Sequence, residues 1–174
     1  MTGDPMHTGL LGLDPAQAAG VLAIVAAPIC LWVALSDLRH MKIPNQAVLA
    51  LIAVYAVVGP FVLPLDVWAW RWLHLAVVLA VGFVLNMIAH FGAGDAKFAA
   101  AMAPFFALSH AGLALVLLAL CLLTSFLTHR LVRAVPPLRG LAPDWESWRR
   151  KDFPLGIALV ATLMSYLLLL ATLG

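Results

Sequence analysis

The sequence predicts an all-α, polytopic membrane protein with about six transmembrane helices. Three observations predict it. Of 174 residues, 64% are hydrophobic and only 10% are charged, whereas about 25% of an average soluble protein is charged. Apolar runs close to the roughly 20 residues of a membrane crossing recur along the whole chain. Once six crossings are drawn, nine of the ten Lys and Arg residues fall on one side. So few charges cannot clothe a solvated globule, and no internal repeat or change in composition divides the chain. A single integral-membrane domain over 1–174 is expected.

The runs are Ala18–Ser36, Gln46–Leu65, Trp72–His90, Ala96–Leu108, Ala111–Thr128 and Phe153–Leu173. The stretch before the first, MTGDPMHTGLLGLD, holds no Lys or Arg. It lacks the basic start of a signal peptide, so the first span is expected to stay in the protein. Pro44-Asn45 breaks the chain before the second span, and Asp66 and Arg71 separate the second from the third. The fourth run is short and contains Pro104, so neighbours or a water-filled cavity must shield it. Ser109-His110 precedes the fifth. The long stretch RLVRAVPPLRGLAPDWESWRRKD before the sixth carries the main charge cluster.

Cationic loops stay in the cytoplasm. With the N-terminus outside, Arg39, Lys42, Lys97, Arg130, Arg133, Arg139, Arg149, Arg150 and Lys151 are all cytoplasmic, and Arg71 alone is outside. Trp68, Trp70 and Trp72 at the outer boundary, and Trp145 and Trp148 at the inner one, read as interfacial aromatics.

Two carboxylates sit at the ends of apolar runs on the cytoplasmic side. Asp37 closes the first span and Asp95 opens the fourth. They are far apart in sequence, yet the topology returns them to one depth. Two carboxylates that share a site cannot both ionise cheaply, so the pair holds one proton. Its ionised member is then able to deprotonate a water while the protonated one polarises a carbonyl. Taken singly, Asp37 also reads as a surface carboxylate beside Arg39 and Lys42, and Asp95 as a helix N-terminal residue favoured by the dipole. His40, His90, His110 and His129 show no ligand spacing, and Cys30 and Cys121 form no paired motif, so no metal site is expected. Both cysteines read as small buried hydrophobes.

Three stretches carry a resemblance. SDLRHMKIPN (Ser36–Asn45) is similar to the first signature of type IV prepilin peptidases, an Asp, basic residues and Ile-Pro-Asn. GAGDAKF (Gly92–Phe98) resembles their Gly-x-Gly-Asp-x-Lys element. DFPLGIAL (Asp152–Leu159) resembles the Phe-Pro-x-Gly element that opens their last helix. The resemblance implies a membrane-embedded aspartyl endopeptidase with Asp37 and Asp95 as its catalytic pair and no cofactor. It implies that the partners are pilin-like precursors and membrane lipid, not nucleic acid. The precursors would be cut on the cytoplasmic face of the bacterial inner membrane, between a short basic leader and the hydrophobic segment. Larger members add a cytoplasmic domain with paired cysteines and methylate the new N-terminus. Lacking such pairs, this chain resembles the compact peptidases of tight-adherence (Flp-type) pilus systems and is expected to cleave only.

Gly92 and Gly94 permit positive φ and close backbone approach; they suit either a substrate strand laid alongside or a tight turn. Lys97 suits either substrate orientation or a cation reaching for the interface. Together these three are the candidate substrate-binding residues. Two other readings compete: a small cation-coupled transporter, which intramembrane carboxylates also serve, and a non-catalytic subunit of a pilus or secretion assembly. The first suffers from the shared depth of the aspartates at one face, and from the absence of paired interrupted helices.

Overall fold

Asp14 starts the first helix, α1 (Pro15–His40). Its carboxylate accepts from the Gln17 backbone N–H at 2.8 Å, and the Gln17 side chain accepts from the Asp14 N–H at 3.2 Å. That reciprocal cap, with Pro at the first helical position, satisfies donors a helix end would otherwise leave unpaired. The computed structural model describes residues 9–89 and 92–173. His90, the expected end of the third span, lies outside them. After α1 come α2 (Asn45–Val62), α3 (Leu65–Ala89), α4 (Ala93–Met102), α5 (Ala111–Ala134), the short α6 (Pro136–Gly140) and α7 (Leu155–Leu173). No strand occurs among the described residues.

Among the described residues, five helices are long and apolar enough to cross a membrane: α1, α2, α3, α5 and α7. The expected fourth span, Ala96–Leu108, is instead the ten-residue α4 followed by single 3-10 turns at Ala103–Phe105 and Leu108–His110. Ten residues rise only about 15 Å. Pro104, which has no N–H to continue the ladder, lies where the α-helix gives way. The short helix is shielded, as its length demands. Ala96, Phe98, Ala100, Ala101 and Met102 are buried, and a Cβ on Gly82 of α3 would lie 2.8 Å from that of Ala96. Small residues at this crossing let the backbones approach, which is how helices associate without a hydrophobic drive between them.

α1 and α7 together form the centre of the bundle. Ala18, Leu22, Ala26, Cys30, Val33 and Asp37 are buried at helical spacing and form one stripe. α7 packs antiparallel along it, with Gly156 beside Asp37 near one end and Ala171 beside Gly20 near the other. Cys30 and Cys121 are both buried free thiols, as expected of small hydrophobes. α3 and α5 flank the core and leave most of their apolar surface uncovered. That is the expected state of a helix facing lipid.

At the end of the bundle away from Asp37, Tyr55 donates to the Trp68 carbonyl and Trp68 Nε1 donates to the Tyr55 carbonyl, both at 3.1 Å. Tyr55 also meets Trp72 edge to face, with centroids 5.3 Å apart. Of the three tryptophans expected at this boundary, only Trp70 projects outward; Trp68 and Trp72 are part of the packing. The reason is that α3 begins at Leu65, seven residues earlier than its apolar run suggests, just after Pro64. Asp66 and Arg71 therefore lie on the helix rather than in a loop. Trp148 is likewise buried, stacked between His129 and Trp145.

Candidate active site

The chain turns sharply after α1. Met41 takes the left-handed conformation (φ 52°, ψ 41°), the one non-glycine to do so among the described residues. Its N–H donates to the Asp37 carbonyl at 2.9 Å, and Ser36 Oγ donates to the Lys42 carbonyl at 2.8 Å. Pro44, extended, then caps α2, as its position in the sequence suggested. This turn folds Lys42, Ile43 and Asn45 back toward the end of α1. Opposite it, α4 starts at Ala93 with Gly92 as its cap.

A cavity of about 340 Å³ lies between the turn and the start of α4. Its walls are Asp37, Met41, Lys42, Ile43 and Asn45 from one stretch, and Gly92, Ala93, Gly94, Asp95 and Lys97 from the other. The candidate catalytic residues Asp37 and Asp95 and the candidate substrate-binding residues Gly92, Gly94 and Lys97 all line it. Asp37 is 5% exposed. Asp95 lines the same cavity from the start of α4. No Lys or Arg forms an ion pair with either carboxylate among the described residues. Lys97 Nζ instead donates to Asn45 Oδ1 at 3.3 Å, joining the two motifs across the cavity rim.

The glycines serve proximity, not unusual dihedrals. Gly92 has φ −55°, and Gly94 lies within α4, so neither uses the positive φ that glycine permits. A Cβ on Gly92 would overlap Asp95 Oδ2, and one on Gly94 would lie 3.5 Å from Ile43 Cβ. The first is therefore closed to any side chain while Asp95 keeps its rotamer. The second sits in ordinary contact range. A reader of the sequence alone would not have placed Gly156 here. Its N–H donates to Asp37 Oδ2 at 2.7 Å from the first turn of α7. The signal lay in the Phe-Pro-x-Gly element, whose glycine it is.

Two carboxylates on one cavity, held by a turn and a helix start, are able to divide the roles of acid and base between them. A profile of the type IV leader peptidase family matches residues 24–129, which include both aspartates. The chain belongs to the type IV leader peptidase family. Neither the curated proteins nor the solved structures contain a match. The prepilin peptidase resemblance of the two motifs and the apolar helices agree with this membership: the protein is a multi-pass membrane protease. The family match ends within α5, so the contribution of α7 to the site comes from the structure.

Proposed function

We propose that this leader peptidase removes the basic leader from Flp-type pilin precursors at the cytoplasmic face of the inner membrane, using Asp37 and Asp95 as an aspartyl pair. The supporting observation is the cavity itself, which has one carboxylate from each motif on its wall. In the proposed reaction the ionised carboxylate takes a proton from water. The water oxygen bonds to the scissile carbonyl carbon while the protonated carboxyl gives its proton to the carbonyl oxygen. The tetrahedral diol then collapses: the now ionised carboxylate takes one hydroxyl proton as the carbonyl re-forms, the C–N bond breaks, and the other carboxyl gives its proton to the leaving amine, which restores the pair.

The substrate strand is proposed to run along the cavity wall that Gly92 and Gly94 form beside Asp95. Lys97, already hydrogen-bonded to Asn45, would contact the strand. The proposed activity is cleavage alone, without methylation of the new N-terminus. The two cysteines are unpaired and buried in helices, unlike the paired cysteines of the larger enzymes.

Co-expression with an Flp-type precursor tests the reading. Wild-type protein should shorten the precursor, with the new N-terminus at the start of the hydrophobic segment. Asp37→Asn and Asp95→Asn should each leave it full length. An uncut precursor beside inserted wild-type protein would defeat the proposed Flp-type substrate.

A further inference from the structure

The geometry points to Gly156 as a positioning residue for Asp37, making the last helix part of the active centre. This inference rests on the peptidase reading but concerns a residue outside the matched segment.

Asp37 ends the buried stripe of α1, so its carboxylate lies between the cavity and the first turn of α7. A carboxylate there needs a donor. Gly156 supplies one, at 2.7 Å to Oδ2. The same residue also has to lack a side chain. A Cβ at 156 would stand 2.8 Å from Asp37 Oδ2, 3.2 Å from its Cγ and 3.2 Å from Ile43 Cδ1. Real Cβ atoms do not approach so closely, so the carboxyl has to turn away. The Ile43 methyl is the end of a flexible chain and yields easily. The N–H and the missing Cβ act together: one draws the carboxylate oxygen in, the other makes room for it.

The donor is available at no cost to the helix. Gly156 lies in the first turn of α7, where backbone N–H groups have no intrahelical acceptor. Glycine is otherwise a poor choice in a helix, disfavoured by about 1 kcal/mol against alanine. Gly156→Ala therefore favours the helix while displacing the carboxylate, which separates a positioning role from a structural one.

A matched control exists on the same α1–α7 interface. A Cβ on Gly20 would sit 3.8 Å from Ala171 Cβ, an ordinary contact. The experiment compares wild type, Gly156→Ala and Gly20→Ala in two measurements. The first is cleavage of a pilin precursor. Gly156→Ala should lose roughly a hundredfold in kcat, as a displacement of about 1 Å does, with KM little changed and the protein inserted and as heat-stable as wild type. Gly20→Ala should match wild type.

The second measurement is ¹³C NMR of the aspartate carboxyl carbons, with the Asp37 signal assigned by its loss in Asp37→Asn. The Asp37 shift and its titration midpoint should both move in Gly156→Ala and stay put in Gly20→Ala. This measurement needs no substrate, so it reads the contact even if the precursor assay fails and the peptidase reading falls. Near wild-type cleavage by Gly156→Ala, or an unmoved Asp37 signal, overturns the assignment.

Discussion

Asp37 and Asp95 reach one cavity by different local devices. Asp37 continues an apolar stripe to its last turn, so the spacing that buries Val33 also buries the carboxylate. Asp95 stands in the first turn of α4, close against Gly92. General acid–base catalysis contributes about 10²–10⁴-fold, so Asp37→Asn and Asp95→Asn are each expected to lower kcat by roughly a thousandfold. Neither asparagine is able to exchange the proton. Quantitative cleavage in membranes checks this, with insertion verified in the same samples; near wild-type rates in either variant would remove that aspartate from the mechanism. Gly92→Ala should act through Asp95, because the new Cβ overlaps Oδ2 and forces a new rotamer. Roughly a hundredfold loss is expected, and an unaffected rate would show that Asp95 works from another rotamer. In the proposed mechanism the carboxylates alone supply acid and base, so EDTA should leave the rate unchanged. Loss on chelation with recovery on adding one divalent ion would refute the aspartyl mechanism.

At the scale of elements, the long spans were legible because each is a continuous apolar run, and both motifs were legible from local residue order. Three things were not. The start of α3 was hidden because Asp66 and Arg71 look like loop residues, yet the helix begins straight after Pro64. The inward turn of Trp68 was hidden because its partner, the Tyr55 carbonyl, belongs to another helix. The contact of Gly156 with Asp37 spans 119 positions, a pairing that no local pattern encodes. The short α4 lies between these cases: Pro104 and the small residues announce it, but only packing fixes its end. Its hold on the bundle is testable. Phe98 is fully buried, and Tyr166 Oη accepts from the Ala107 N–H at 3.1 Å and pairs with His110 Nδ1 at 3.0 Å. Phe98→Ala is expected to destabilise by about 3–5 kcal/mol. Tyr166→Phe should cost about 1 kcal/mol, because polar contacts between membrane helices average only about 0.6 kcal/mol each. Thermal denaturation in detergent should rank them in that order. The reverse order would mean that α4 is held by its far-end hydrogen bonds rather than by its packing.

At the scale of the whole molecule, the site and the charges share one end of the bundle. Arg39 and Lys42 lie on or beside the Met41 turn, and Lys97 reaches Asn45. Arg130 and Arg133 donate to the carbonyls of Lys151 and Arg150, at 3.4 and 2.8 Å, tying the basic segment to the end of α5. Arg71 is at the opposite end, near Trp68 and Trp72 on α3. Translocating cationic loops is unfavourable, so the end with nine of the ten cations is expected in the cytoplasm. In the proposed reaction, this orientation sets the face on which the precursor's leader meets Asp37 and Asp95. Single cysteines at two sites decide it. Cys30 and Cys121 are both buried in helices and offer little background to a water-soluble reagent. Arg139→Cys, on exposed α6, should react with a membrane-impermeant maleimide only after the cytoplasmic side is opened. Asp66→Cys, exposed at the other end, should react in intact cells. The opposite pattern would turn the cavity toward the periplasm, where a basic leader still held in the cytoplasm cannot reach it, and the proposed cleavage side would fail with it.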